Sequence, residues 1–525
     1  IAICLFNPFP GITFWTGITS LFGLSNLYLL KQSTDYFAQS TELNVFTHTW
    51  SLGVEEQFYI LFPFIIWFTG FGRQTKNGAR NLFIIVGSLT IASLIRFLYL
   101  YITNQPAAYF LMPTRFWEIA SGCLLFIGFQ QNQSIEKFLE KVPPILVLTL
   151  ILGVMYLPMS WATTSTVAVV FLSLVLIASL KKQTAAYKFF TNPKVVYIGL
   201  ISYSLYLWHW GIISISRWTI GIHWWSIPFQ VLLILCIAIS SYKWIETPVR
   251  EGLWFEKRWK TLLVGMGVLI TLSMNLFALG KPLKGKLFTG DKDNKWNMQV
   301  FTDTKIIHNK TLPTIYLLGD SYAGHYGAVI TKLAEKKEFN FIMHPQGSGL
   351  KLLNKNMQEY ILAPLREYKN KFKKGDVILF VAKEDKYQKE GQNWTKEYSN
   401  FIQKTQNIGM KFIIISPTPT FSRVKQGLTC QEEWYRPSWA ISPLCFSQVN
   451  KKEWFASNIK PITMIEKFLL TNPKVYYVDA FSILCPNQIC KNHEQHEMLY
   501  KDGHHLSSFG AMKVMKTIGT FIRSK

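Results

Sequence analysis

The amino-acid sequence predicts a polytopic α-helical membrane domain followed by an extracytoplasmic α/β domain built on a five-stranded parallel sheet. Three observations lead there. Long apolar runs alternate with short polar breaks as far as Gly280, and those breaks are by turns basic and uncharged. Beyond about Pro313 the pattern changes to short β-type runs separated by amphipathic helical stretches.

The apolar half comes first. Candidate spans lie near 11–30, 50–70, 81–101, 108–128, 144–160, 164–180, 195–216, 226–246 and 260–280, with lengths suited to crossing hydrocarbon. The breaks at 71–80, 181–194 and 243–260 carry Arg73, Lys76 and Arg80, then Lys181, Lys182, Lys188 and Lys194, then Lys243, Arg250, Lys257, Arg258 and Lys260. The breaks YITNQPAAY, YLPMSWATT and WTIGIHWWS hold no lysine or arginine. Basic breaks face the cytoplasm, so the last span delivers the polar half to the outside. Composition agrees: 525 residues are 49% apolar and 16% charged, yet the net charge is +24. A basic chain so poor in charge suits a membrane protein with basic loops better than a nucleic-acid binder. No signal-peptide pattern is visible in the opening residues, and the apolar IAICLF reads as a start partway through a longer protein.

A polar, turn-rich linker covers 281–313, and the α/β domain occupies 314–525. Its strands are read in TIYLLG, FNFIMH, DVILFVA, KFIIIS and VYYVDA. Ligands of such sheets bind at the carboxyl ends of the strands. Ser321 follows the first strand directly, and Ala323-Gly324 permit a tight turn into a helix. Asp502 and His505 lie three residues apart ahead of the final helix. A serine needs a base, and the base an orienting acid, which makes Ser321, His505 and Asp502 a candidate triad that requires no metal. His325 and His504 are read as surface or rim residues. Of seven cysteines, Cys4, Cys123 and Cys236 lie in apolar stretches. Cys430, Cys445, Cys485 and Cys490 lie in the polar half, where close spacing favours the pairs Cys430–Cys445 and Cys485–Cys490 and an oxidising compartment.

Several polar groups sit within the apolar half, where ionised side chains are costly and usually functional; the alternatives are interfacial solvation of Glu55 and Glu56 and, favoured over catalysis, a packed structural role for His209 among its aromatic neighbours. Glu55 and Glu56 follow His48 in HTWSLGVEEQFYILFP, Arg115 and Glu118 are i, i+3 partners in PTRFWEIASG, and His209 follows Tyr206 in SYSLYLWHW.

These segments, with GLSNLYLL and SYKWIETPVR, resemble the acyltransferase type 3 superfamily of membrane O-acyltransferases over Gly23 to Arg250. The block GDSY and the pair Asp502-x-x-His505 resemble the SGNH hydrolases, whose fold is flavodoxin-like. The resemblance implies transfer of an acyl group, usually acetyl from acetyl-CoA, to a hydroxyl of a cell-surface polysaccharide or its lipid-linked precursor, at a bacterial cytoplasmic membrane. The outer domain would lie in the periplasm or extracellular space and form an acyl-serine on Ser321. The family's oxyanion hole uses the serine N–H, a glycine after the second strand and an asparagine after the third. Here Gly349, or alternatively Gly347, supplies the glycine, while AKEDKY after the third strand has no asparagine. Family members open with spans carrying an arginine and an essential histidine, then a FFxxSGF-like sequence; these are expected upstream of Ile1. Two other readings fit the same residues: a membrane-tethered carbohydrate O-acetyl esterase, and a glycolipid transporter with a binding domain attached.

Overall fold

A computed structural model describes residues 2–8, 10–33, 41–131, 139, 141–180, 182, 184–251, 258–290, 304–319, 321–336, 338–343, 371–381, 399, 402–403, 407–421, 427–495 and 497–523. The chain forms two compact units, one of Ile1–Ser216 with Ile222–Leu287 and one of Arg217–Gly221 with Phe288–Lys525.

Among the described residues of the first unit, six helices are long and apolar enough to cross a membrane: Gly78–Thr103, Gln105–Phe129, Met159–Ser179, Pro193–Trp218, Ile227–Glu251 and Trp259–Gly280. Each meets the requirement of roughly 20 apolar residues for about 30 Å of hydrocarbon. The other three expected spans take different forms. The span at 11–30 is two helices, Gly11–Leu21 and Ser25–Ser33, separated at Gly23. Gly23 has φ +65°, and a Cβ there would lie 2.3 Å from a carboxylate oxygen of Glu56. The span at 50–70 is the helix Trp50–Phe68, which contains Pro63 and whose apolar character Glu55, Glu56 and Gln57 dilute. The span at 144–160 is only Pro144–Met155, because Pro158 cannot continue a helix. Twelve residues rise about 18 Å. The alternation of charge nevertheless requires a crossing between the segments on either side of that helix.

Polar side chains join the helices where water is absent. Buried Asn26 donates from Nδ2 to the carbonyl of Phe110 at 3.0 Å. Gln57 Nε2 donates to Asn26 Oδ1 and to the carbonyl of Gly23, both at 2.9 Å. Asn44 Nδ2 donates to Thr16 Oγ1 at 2.8 Å, and Trp210 Nε1 to the carbonyl of Asn44 at 2.9 Å. Such bonds hold apolar helices in register when no hydrophobic difference between lipid and protein can do so.

The second unit carries a six-stranded sheet: β1 Thr304–Ile306, β2 Thr314–Gly319, β3 Asn340–Met343, β4 Val377–Val381, β5 Lys411–Ile415 and β6 Tyr476–Val478. Their order is β1-β3-β2-β4-β5-β6. The five strands expected from the sequence are present and parallel. The sixth, β1, pairs antiparallel with β3 and lies in the stretch read as linker. Three residues flanked by polar sequence carry too little alternation to be read as a strand.

Burial follows the pleat. Ile315, Leu317, Val377, Leu379, Val381, Ile413 and Ile415 face a core shared with the helices Ala323–Ala334 and Ser508–Arg523. Tyr316, Leu318, Ile378, Phe380, Phe412 and Ile414 face a second core against the helix Ile459–Thr471. A parallel sheet covered on both faces needs apolar side chains at odd and even positions alike, hence the unbroken runs in the sequence. Two buried polar side chains anchor the amino ends of the strands. Asp376 accepts the N–H groups of Thr314 at 2.7 Å and Lys373 at 3.0 Å. Asn340 accepts from His308 N–H at 2.9 Å and donates to the carbonyls of Asn309 and Leu312.

Disulfides join Cys430 to Cys445 and Cys485 to Cys490, the pairing favoured by spacing. Cys4, Cys123 and Cys236 are free. Alkylation of the denatured, unreduced chain is therefore expected to modify those three cysteines alone, and reduction to expose all seven. Modification of any of the other four before reduction would contradict the pairing.

Candidate functional site

The order of the parallel strands reverses at β2, between β3 and β4, and at that point the chain leaves the carboxyl edge of the sheet. Gly319 ends β2 opposite Val381, and a Cβ there would stand 1.8 Å from the Val381 carbonyl oxygen. This close approach brings Ser321 out at the sheet edge. Ala323 and Gly324, expected in the turn, already belong to the helix Ala323–Ala334. Ser321 thus sits just ahead of a helix N-terminus, where negative charge is favoured.

The loop before the helix Ser508–Arg523 carries the other two residues. Tyr500 and Leu506 form an antiparallel bridge, and Lys501 N–H donates to the His505 carbonyl at 2.9 Å, folding 501–505 into a tight turn. Asp502 Oδ1 accepts the N–H groups of His504 at 2.9 Å and His505 at 2.7 Å, as aspartates do when they stabilise a turn. Gly503 lets this turn lie on Phe421, whose N–H donates to the Gly503 carbonyl at 2.6 Å. A Cβ on Gly503 would lie 2.3 Å from the Phe421 carbonyl oxygen.

With the turn so held, Asp502 Oδ2 lies 2.7 Å from His505 Nδ1, and His505 Nε2 lies 3.0 Å from Ser321 Oγ. The three residues named from the sequence therefore meet, 184 positions apart along the chain, with His505 between the other two. Nδ1–H donates to the carboxylate, which leaves Nε2 to accept from the serine hydroxyl. That arrangement can deprotonate an alcohol and hold the resulting imidazolium. His505 is buried, while Ser321 and Asp502 are half-buried. Burial pushes the Asp502 carboxyl up. The hydrogen bond and charge of His505, with the charge of His504, outweigh it and hold the group well below the usual carboxylate range. The donor atoms of Asp502, His504 and His505 lie within 4.8 Å of one another, near enough for a metal ion. Both ring nitrogens of His505 are already engaged by Asp502 and Ser321, however.

His504 is half-buried beside Tyr322, as expected of a rim residue. His325 is not on the surface. It is buried beside His505, in the opening turns of the helix Ala323–Ala334, where every residue from Ala323 to Ile330 is covered. Gly349 and Gly347, read as oxyanion donors, lie outside the described residues, as does the segment after β4.

In the first unit the structure brings His48, Tyr206 and His209 together. The His48 ring centroid is 5.3 Å from that of Tyr206 and 5.6 Å from that of His209. Tyr206 Oη donates to the His48 carbonyl at 2.6 Å and also meets Ser51 Oγ, which sequence reasoning missed. His209 Nδ1–H donates to the Tyr206 carbonyl at 2.7 Å. His48 is buried. Arg115 and Glu118 form an ion pair at 2.7 Å, with Arg115 over the rings of Trp50 and Tyr109. Glu55 is half-buried and Glu56 exposed within the unit. Glu246, also missed, accepts from Ser204 Oγ at 2.8 Å. It ends a five-residue π-helical turn, Tyr242–Glu246, a distortion frequent at functional positions. Only the motif SYKWIETPVR signalled it.

Comparison with known proteins bears on both units. Residues 1–243 match the model of an acyltransferase domain, and residues 289–519 match that of the SGNH domain fused to such acyltransferase domains. The O-acetyltransferase OatA of Staphylococcus aureus (strain NCTC 8325) is 31% identical over 252 residues, 45% of this chain and 41% of OatA. The chain thus spans well under two thirds of that relative's length. Among solved structures, the periplasmic domain of the lipopolysaccharide acetyltransferase of Salmonella ser. Paratyphi A aligns at 16% identity with a TM-score of 0.28, covering 41% of this chain and 85% of that one.

The depressed ionisation of Asp502 has a consequence for stability. A carboxyl held below its unfolded value stabilises the fold above that value and loses the contribution as pH falls through the folded one. The ordinary value is 3.8. The stability difference between the native chain and Asp502→Asn, read by chemical denaturation, should therefore shrink progressively as pH falls below about 4. A difference that stayed level from about pH 4 to pH 2 would mean that Asp502 is not held ionised in the folded state.

Proposed function

We propose that this chain, whose residues 1–243 match an acyltransferase domain and 289–519 the SGNH domain fused to such domains, is a membrane O-acetyltransferase of a cell-surface polysaccharide. The observation that carries the reading is His505 standing between Ser321 and Asp502 on a unit joined to apolar helices. His505 Nε2 removes the Ser321 proton as Oγ attacks the acyl carbonyl. The N-terminus of the helix Ala323–Ala334 and the serine N–H favour the oxyanion. Collapse expels the donor's leaving group, which takes the proton from His505 and leaves an acyl-serine. The acceptor hydroxyl then gives its proton to His505 and attacks the ester, freeing Ser321.

The acyl donor is acetyl-CoA on the cytoplasmic side: a carrier nucleophile in the first unit takes the acetyl group, releasing CoA as the thiol, and is itself the leaving group, regained with a proton, when Ser321 is acylated outside. Buried His48, with its partners Tyr206 and His209, and the Arg115–Glu118 pair are the polar groups of the first unit that handle the acetyl group, with Glu55 and Glu56 beside them. Ionisable groups inside a span are retained for such roles. The acceptor is a surface polysaccharide or its lipid-linked precursor, and the chain resides in the bacterial cytoplasmic membrane with its second unit outside. The basic breaks at 71–80, 181–194 and 243–260 and the two disulfides support that orientation.

Incubation of membranes with radiolabelled acetyl donor should place label on the second unit of the native chain and none on that of Ser321→Ala. Turnover of a small acetyl ester by Ser321→Ala should fall by about 10³-fold or more, and His505→Ala should lose nearly as much, since triad members act as a unit. Label on Ser321→Ala equal to that on the native chain would end the acyl-serine reading. Addition of a glycan acceptor should discharge the native label faster than water does; an unchanged rate would make the protein an esterase. In a full-length relative that carries the upstream spans, the change equivalent to Glu55→Gln should abolish labelling from the cytoplasmic donor while leaving hydrolysis of the externally supplied ester intact. Normal labelling would remove Glu55 from the acyl path.

A further inference from the structure

The triad as described does not explain His325. It is buried, at 3% exposure, and so reaches no substrate. Its Nδ1 accepts the N–H of Leu506, the residue after His505, at 3.2 Å. Its ring stands nearly perpendicular to that of His505, at 84° and 4.9 Å between centroids, and lies 4.9 Å from Tyr322. His325 belongs to the helix that begins two residues after Ser321, whereas Leu506 belongs to the turn that carries Asp502 and His505. One side chain therefore ties the nucleophile's helix to the base's turn.

We propose that His325 is a positioning residue which, by accepting the Leu506 N–H at Nδ1, sets the reach of His505 Nε2 to Ser321 Oγ. The proposal rests on the reading of Ser321 as nucleophile. Two features separate this role from packing. An acceptor at Nδ1 requires the proton on Nε2, and that nitrogen is buried with no partner among the described residues. A buried polar atom left unsatisfied destabilises a fold, so a site that needed only volume would be better filled by an apolar side chain. The second feature is Leu506, itself buried, whose N–H would lose its partner if an apolar side chain replaced the imidazole. Bonding geometry needs a neutral ring. Burial first, then the positive neighbours His505, Lys501 and His504, hold His325 well below the usual histidine range, so it stays neutral while His505 exchanges protons.

Asparagine and glutamine distinguish the role. The Asn side-chain oxygen occupies the position of Nδ1, and the Gln oxygen that of Nε2, so only Asn can replace the acceptor. In the full chain, His325→Asn should keep kcat for p-nitrophenyl acetate within about 3-fold of native. His325→Gln and His325→Leu should lose roughly 10- to 100-fold in kcat, the cost of a displacement near 1 Å, with KM within about 2-fold because the residue does not touch substrate. Equal activity of Asn and Gln variants, an effect confined to KM, or Leu outperforming Asn would each overturn the proposal. If His325→Leu fails to keep its disulfides, the comparison of Asn with Gln decides alone, and failure of Asn to fold where Gln folds counts against the proposal as well. Ser321→Ala assayed beside them separates the two claims. Full turnover there removes the nucleophile, whereas its loss together with unaffected Gln and Leu variants removes only the role of His325.

Discussion

The second unit is organised around one carboxylate. Asp502 uses one oxygen to hold the N–H groups of His504 and His505, which shapes the turn, and the other to hold the His505 ring. The same group therefore decides where the imidazole is and which nitrogen faces Ser321. Much of the surrounding structure serves that turn. Gly503 allows it to rest on Phe421, the Tyr500–Leu506 bridge closes its base, and His325 accepts the next N–H along. The neighbouring Lys501, whose ammonium burial drives down to about 8, belongs to the same desolvated edge.

The sheet supplies what a turn alone cannot. The distance between Ser321 and His505 depends on the helices that follow them, and Ala323–Ala334 and Ser508–Arg523 share one apolar core, with Val329, Ile330, Val514 and Met515 all buried in it. Ser321 precedes the first of these helices and His505 the second. Packing side chains far from the chemistry thus sets the distance at the edge. The steric demand at Gly319, with no room for a Cβ beside Val381, aims the chain out of the sheet at the point where strand order reverses.

In the first unit the constraint is the reverse. Polar groups have little water to turn to, so they find one another: Asn26 with Gln57 and Phe110, Tyr206 with His48 and Ser51, Arg115 with Glu118. Some of these bonds join helices, and others hold the groups the motifs had singled out. His48 is buried among the same groups, its ring set against those of Tyr206 and His209.

The sequence by itself determined the class of each half. Apolar runs of membrane length with alternating charge at their breaks can form only one kind of structure, and apolar strands separated by helical stretches must make a parallel sheet covered on both sides. Ser321, Asp502 and His505 were legible because the sheet-edge rule turns chain order into position, and the cysteine pairs because short loops leave few alternatives. Other features were decided only by tertiary packing. The span at 11–30 breaks at Gly23, which takes a positive φ with Glu56 of another helix close against it, and β1 pairs with the free edge of β3 through three residues of no distinct pattern. His325 was misread as a rim residue for the same reason. Nothing local distinguishes a histidine on the outer face of a helix from one on the inner face, and its partner, a backbone N–H 181 residues away, is brought near only by the fold.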